Sequence, residues 1–219
     1  MERWDDLQYK GLMLLQDDAL PCFTADAVHL VHFLRLGPKD RVLDAGCGTG
    51  VLSVLGEGYT GASFTGVDIC PEPVALARRS AERNGQNIRF ETADIRSLPE
   101  RFGEGAFTAA VWNPPYFTEE GGAQNTARDT ARHADAGSLN AQARALFRLL
   151  KNGGRLFLCC PCAEMARMMT MLSNSRLEPK RMRLVAHTPG DAPYLALIEA
   201  KKDGRCGLVT EPLLFDKTV

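Results

Sequence analysis

The sequence lacks an excess of charge of either sign. Its 26 Lys and Arg stand against 27 Asp and Glu, a formal net charge of −1. That excludes a strongly basic, non-specific nucleic-acid binder and leaves room for a local basic patch. No apolar run approaches membrane-spanning length, so no membrane partner is expected. The stretch Met1-Glu2-Arg3-Trp4-Asp5-Asp6 is charged where a secretion signal would be apolar. Seven cysteines form no even framework, which suits reduced thiols and a cytoplasmic location better than a disulfide scaffold. Internal repeats and low-complexity tracts are absent as well. What is present is 219 residues, 45% hydrophobic and 24% charged. That is enough for one good core, expected as a single domain over 1–219, monomeric or weakly dimeric.

The chain takes its bearings from Val42-Leu43-Asp44-Ala45-Gly46-Cys47-Gly48-Thr49-Gly50. A short apolar strand from Arg41 runs into three alternating glycines, and Val51 to Leu55 opens an apolar helix. Strand, glycine turn and helix make a nucleotide seat at the carboxyl edge of a parallel sheet, because glycine lets backbone turn sharply and a ligand come close. A tight turn alone is the other reading. Two details narrow it. Val51 stands where the dinucleotide fingerprint needs its third glycine, and Asp44 would repel a pyrophosphate but suits a cationic ligand. A second strand, Phe64 to Asp68, ends in an acid about 20 residues beyond the loop, where a carboxylate can grip ribose hydroxyls.

Other elements follow in order. Leu12 to Gln16 reads as a strand or the start of a hairpin, broken by Pro21. Thr24 or Asp26 is placed to cap a helix through Leu36, stopped by Gly37-Pro38. Residues 1–36 are thus a lead-in and a helix. Pro71 opens a helix ending at Asn84-Gly85, Ile88 to Phe90 is a strand, and Asp94 follows it. Phe107 to Trp112 is apolar nearly throughout, as a strand buried on both faces should be. The polar stretch 118–137 is long for a loop in a compact domain, which marks it as a substrate loop. Ser138 is placed to cap a helix through Leu150, with a stop at Asn152-Gly153-Gly154. A strand at Arg155 to Cys160, a Met-rich helix at Ala163 to Ser175, and strands at Arg181 to Ala186 and Tyr194 to Ala200 complete the pattern. The apolar tail Gly207 to Phe215 should dock on the domain. Alternating strands and helices with a late hairpin imply a doubly wound α/β fold with a mostly parallel sheet.

Asn113-Pro114-Pro115-Tyr116 ends the fourth of these strands, where this topology puts the ligand crevice. Two prolines remove two backbone donors, so the Asn113 side-chain oxygen and the Pro114 carbonyl can both accept from one planar NH₂. That aims the nitrogen lone pair and favours the ammonium formed on alkylation. Tyr116 can stack on a flat substrate, with Pro115 and Phe117 beside it. Cys159-Cys160-Pro161-Cys162 has no second pair at zinc spacing, so no metal is expected.

The glycine loop, Asp68 and Asp94 together resemble the S-adenosylmethionine site of the class I methyltransferases. That resemblance implies a Rossmann-like fold, a seven-stranded mostly parallel sheet with one antiparallel strand near its edge and helices on both faces. It implies cofactor contacts from Asp44, Gly46, Gly48, Gly50, Asp68, Asp94 and Asn113, with Phe23 and Asp26 alongside. Further stretches are similar to one bacterial family, the tRNA(Val) adenine N(6)-methyltransferases. They are Leu15-Gln16-Asp17, Phe23-Thr24 with Asp26-Ala27-Val28, Asn113 to Phe117, Ala131-Arg132-His133, Leu177 to Arg183 and Glu211 to Asp216. The chain departs from that family at Ala134 and at Cys160-Pro161-Cys162. The family resemblance implies tRNA as partner. Arg128, Arg132, His133, Lys180, Arg181 and Arg183 are then candidate phosphate contacts. Two other readings share these motifs: a protein-glutamine methyltransferase acting on a release factor, and a non-catalytic cofactor-binding subunit.

Overall fold

A computed structural model describes residues 1–114 and 136–216 of the chain. A hairpin of β1 (Glu2–Asp6) and β2 (Met13–Asp17) comes first and pairs antiparallel. The main sheet follows with α1 (Ala25–Phe33), β3 (Arg41–Ala45), α2 (Val51–Thr60), β4 (Ser63–Asp68), α3 (Pro71–Arg83) and β5 (Arg89–Thr92). It continues with α4 (Leu98–Phe102), β6 (Phe107–Trp112), α5 (Ala136–Leu149), β7 (Leu150–Pro161) and α6 (Met165–Asn174). It ends with β8 (Leu177–Ala186), β9 (Leu195–Lys202), β10 (Val209–Thr210) and β11 (Leu214–Phe215).

The strand order is β8-β9-β7-β6-β3-β4-β5, with β10 and β11 both added to the outer edge of β8. Among the described strands of this sheet only β9 runs against its neighbours, lying between β7 and β8. The expected seven-stranded plan is therefore present, widened to nine by the tail. The tail docks by backbone pairing rather than by apolar contact alone.

Each central strand is apolar on both faces because both are covered. Consecutive residues point to opposite sides. Val42, Val111, Phe157 and Leu197 join the core under α1, α2 and α3. Their neighbours Leu43, Trp112, Leu158 and Ile198 join the core under α4, α5 and α6. Helix α2 runs unbroken through Gly56 and Gly58. A Cβ on Gly56 would collide with the Phe64 ring, so glycine there is what lets helix and sheet close together. The hairpin hangs on α3, where Ser80 Oγ and Asn84 Oδ1 accept from the Leu15 and Met13 amides at 2.9 Å each.

Several boundaries differ from expectation. Helix α1 stops at Phe33, not Leu36, because Leu34 turns extended. Ser138 lies inside the first turn of α5, which already begins at Ala136. Helix α5 passes straight into β7, and a bulge replaces the stop expected at Asn152-Gly153-Gly154. Gly153 sits at φ +69° within the strand, and the register with β6 shifts between Phe107 and Ala109.

The basic strand β8 is spent on holding the tail. Arg181 is buried, against the expectation of a surface phosphate contact. Its guanidinium donates to Glu199 at 2.7 Å, to Glu211 at 3.0 Å and to the Phe33 carbonyl at 2.7 Å, and lies over the Phe33 ring. It thereby satisfies an open carbonyl at the end of α1, where a cation also suits the helix dipole. Lys180 donates to the Arg205 and Gly207 carbonyls, and Arg183 to the Pro212 carbonyl. Replacing Arg181 by Met should leave Glu199 and Glu211 without their shared partner. The expected loss is about 3–5 kcal/mol of stability, read as a lower urea midpoint; an unchanged midpoint would show that the cluster contributes little.

Candidate functional site

Strands β3 and β6 are parallel neighbours, and their register sets Ala45 beside Trp112. The residues that follow, Gly46 and Asn113, therefore leave the sheet side by side. On the far side of β3, Asp68 ends β4 opposite Thr92 of β5. Here the chain turns to opposite faces from adjacent strands, which opens a crevice at the carboxyl ends.

The glycine loop is built around φ values of +71°, +52° and +88° at Gly46, Gly48 and Gly50. The Gly46 and Cys47 amides both donate to the Val67 carbonyl, at 2.8 and 3.0 Å. A Cβ at Gly46 or Gly48 would meet nothing within 4 Å, so open space lies before the loop. Behind it, a Cβ at Gly50 would lie 2.9 Å from Ala77 and from the Phe90 ring. The loop is thus tight against the core on one side and open on the other.

Asp68 is fixed by two backbone donors, the Gly48 amide at 2.8 Å and the Cys70 amide at 2.9 Å. Each of its oxygens keeps lone-pair capacity for a hydroxyl. Asp94 caps the short turn after β5 and is held by the Arg96 guanidinium and amide. Those bonds keep its carboxyl below the ordinary range. Asp44 is fully buried under the loop. Ser53 Oγ donates to its Oδ2 at 2.7 Å, and its Oδ1 is buried without a partner. Burial pushes this carboxyl up to about 7, and the nearby charge of Asp68 adds to the rise. Asp44 is therefore held out of contact with any ligand in the crevice, bonded to Ser53 beneath the loop.

Asn113 is half-buried and Pro114 buried. The Cys159 thiol on β7 donates to Asn113 Oδ1 at 3.2 Å. Phe23 is half-buried, and its amide donates to Gln16 Oε1 at 3.1 Å. Asp26 does not cap α1: Thr24 is the N-cap residue, and Asp26 lies in the first turn. Pro115, Tyr116, Phe117, Arg128, Arg132 and His133 lie outside the described residues.

The structure thus gathers the glycine loop, Asp68, Asp94, Asn113 and Pro114 along one sheet edge. It sends Lys180, Arg181 and Arg183 to the tail. Two neighbours of this edge escape a reading of the sequence. Ile69 directly follows Asp68 and is 64% exposed, an apolar surface beside the acid. Its signal is an apolar residue just past a strand-end acid. Cys159 has no local signal, because only the pairing of β6 with β7 brings it to Asn113. Among the described residues, no group of three or more His, Cys, Asp or Glu is placed to hold a metal ion. Among them too, no helix is long and apolar enough to cross a membrane.

Residues 36–200 match the family model described as "Methyltransferase domain". A tRNA1(Val) (adenine(37)-N6)-methyltransferase of Bacteroides fragilis is 26% identical over 193 residues, covering 87% of this chain and 81% of the relative. The enzyme of the same name from Shewanella halifaxensis is 27% identical over 172 residues, covering 78% and 70%. A solved Agrobacterium tumefaciens structure, described as a predicted O-methyltransferase, superposes with a TM-score of 0.71 at 20% identity. It covers 87% of this chain and 86% of the other.

Asp44 ties stability to pH. Its folded-state value of about 7 lies above the ordinary 3.8, so the folded protein holds this proton more tightly than the unfolded chain. Between those values the folded state loses stability as pH rises, by about 2–4 kcal/mol. Asp44→Asn should remove that dependence, raising the melting temperature at pH 8 relative to wild type and changing it little at pH 4. Parallel melting curves for the two proteins across this range would disprove the assignment.

Proposed function

The chain belongs to the methyltransferase-domain family, and on that premise we propose that it methylates the exocyclic amine of an adenine in tRNA, with S-adenosylmethionine as donor. The observation that carries the reading is Asn113-Pro114 at the end of buried β6, opening onto the glycine loop of β3. Two relatives named for adenine N6 methylation of tRNA, matched over most of their length, support adenine as the acceptor. Residues 1–219 act as one domain in this reading.

The residues present fit the donor. The space before Gly46 and Gly48 takes its amino-acid part, with the buried Asp44 carboxyl behind the loop. Asp68 takes the ribose hydroxyls, while Ile69 and Asp94 take the adenine. Phe23 and Asp26 close the amino-terminal side. When bound, S-adenosylmethionine supplies an electrophilic methyl group.

The protein's own contribution is orientation. Asn113 Oδ1 and the Pro114 carbonyl accept the two N–H bonds of the substrate amine, which fixes the nitrogen and directs its lone pair out of their plane. The Cys159 thiol donates to the same Asn113 oxygen and helps to orient it. As the nitrogen gains a fourth bond and positive charge, both oxygens hold it more strongly than they held the neutral amine. The ammonium then gives one proton to water. Tyr116, Pro115 and Phe117 flank the flat base in this scheme, and Arg128, Arg132 and His133 contact phosphate. Of the basic residues on β8, Lys180 and Arg183 keep donors for RNA, while Arg181 does not.

The test is transfer of labelled methyl from S-adenosylmethionine to unmodified tRNA and, in parallel, to a release factor, followed by nucleoside analysis. N(6)-methyladenosine in the tRNA is expected. Label in the protein would move the acceptor to a glutamine amide, and label in neither would leave a cofactor-binding subunit. Asn113→Ala should abolish transfer and leave cofactor binding nearly intact; full activity would sink the mechanism. Asp68→Ala should weaken cofactor binding by about 1.5–3 kcal/mol, measured by calorimetry, and an unchanged affinity would displace Asp68 from the ribose.

A further inference from the structure

Beyond the Asn113 crevice, the same carboxyl edge carries a second constellation. His187 follows β8 and Tyr194 precedes β9. Their rings stack with centroids 4.3 Å apart and planes 10° from parallel. Asp216 of the tail holds both: its Oδ2 lies 2.5 Å from His187 Nδ1, and its Oδ1 accepts from the Tyr194 hydroxyl at 3.0 Å. The same Oδ1 lies 3.1 Å from Nε2 of His29, which is 3% exposed on α1. The turn between the two rings is itself locked, since the Thr188 amide and hydroxyl both donate to Asp191, at 2.9 and 2.6 Å.

This is much ordering for a ring that adds little to the core. The His187 side chain is 65% exposed, so Tyr194 backs one face and the other is open to water. Immobilising an exposed side chain costs conformational entropy that burial does not return. The open face is flat, aromatic and rigid, which is what a stacked nucleobase requires. Asp216 is engaged by His29 from α1, His187 from the β8–β9 turn and the Tyr194 hydroxyl, which together fix its carboxylate. Burial, then the bond to Asp216, pushes the Tyr194 hydroxyl well above its ordinary range, so it remains a donor in that network.

The location relates this shelf to Asn113. Cys159 touches Asn113, and three residues further along the chain the Cys162 amide donates to the Tyr194 carbonyl at 2.9 Å. Three extended residues span about 10 Å, so Asn113 and the Tyr194–His187 pair are tied to neighbouring points on the end of one strand. We propose that the open face of His187, backed by Tyr194, is a stacking site for an unpaired nucleobase near the adenine methylated at Asn113. This rests on the reading of RNA as substrate.

The experiment places 2-aminopurine at each position flanking the target adenine in an otherwise unmodified tRNA. Fluorescence on binding and transfer kinetics are then followed with the full chain. His187→Ala and His187→Phe both lose the bond to Asp216, and only Phe keeps a ring to stack on. The Ala variant should lose the fluorescence change at one flanking position and raise KM for RNA about 5- to 100-fold, with the effect on KM exceeding that on kcat. The Phe variant should recover most of both, a rescue that a purely structural role for the His187–Asp216 bond would not produce. Equal KM and equal fluorescence in wild type and the Ala variant, with wild type active on RNA, would overturn the shelf alone. A wild type inactive on RNA would overturn the substrate reading and the shelf with it.

Discussion

The parallel pairing of β3 with β6 governs the rest of this molecule. In that register Ala45 lies beside Trp112, so the glycine loop and Asn113 must emerge as neighbours. Val42 and Val111 share one core layer, and Leu43 and Trp112 the other, so the packing of each layer fixes this register. The geometry of the candidate site is in this sense a by-product of packing. The apolar sheet decides where the two loops begin, and loop chemistry decides what they do there.

Most of the fold is legible in the sequence because its strands are short, apolar and punctuated by glycine and proline. Strand β6 can be read with its observed ends, since both faces are buried and no residue breaks the run. Strand β8 reads too short. Leu177 to Lys180 includes Pro179, which removes a donor and signals a turn, yet the strand accommodates it beside a register shift. The added strands β10 and β11 are two residues each and owe their existence to pairing with β8, which no local pattern announces.

The site is legible to a different degree at each residue. Asp68 and the glycines are local signals, with acid and turn following a strand. Asp44 is readable as the acid beneath the loop, but its raised pKa comes from complete burial and, secondarily, from the charge of Asp68 on another strand, against the opposing bond from Ser53. Arg181 misleads because charge in a sequence looks the same whether it faces water or two half-buried carboxylates. Only the third dimension adds Glu199, Glu211 and the Phe33 carbonyl.

The tail joins these themes. Its Glu211 completes the pairing of Arg181, which also meets the end of α1, and five residues later Asp216 reaches His29 near the middle of the same helix. One short segment therefore spans α1 from end to interior while closing the sheet edge. Because the bonds are distributed along the segment, ordering of Leu214 and Phe215 against β8 brings Asp216 to His187 and Tyr194 at small additional entropic cost. The stability of the edge and the rigidity of the aromatic pair are then properties of the same segment. Loosening the tail at Arg181 would be felt at His187, although no bond connects the two side chains directly.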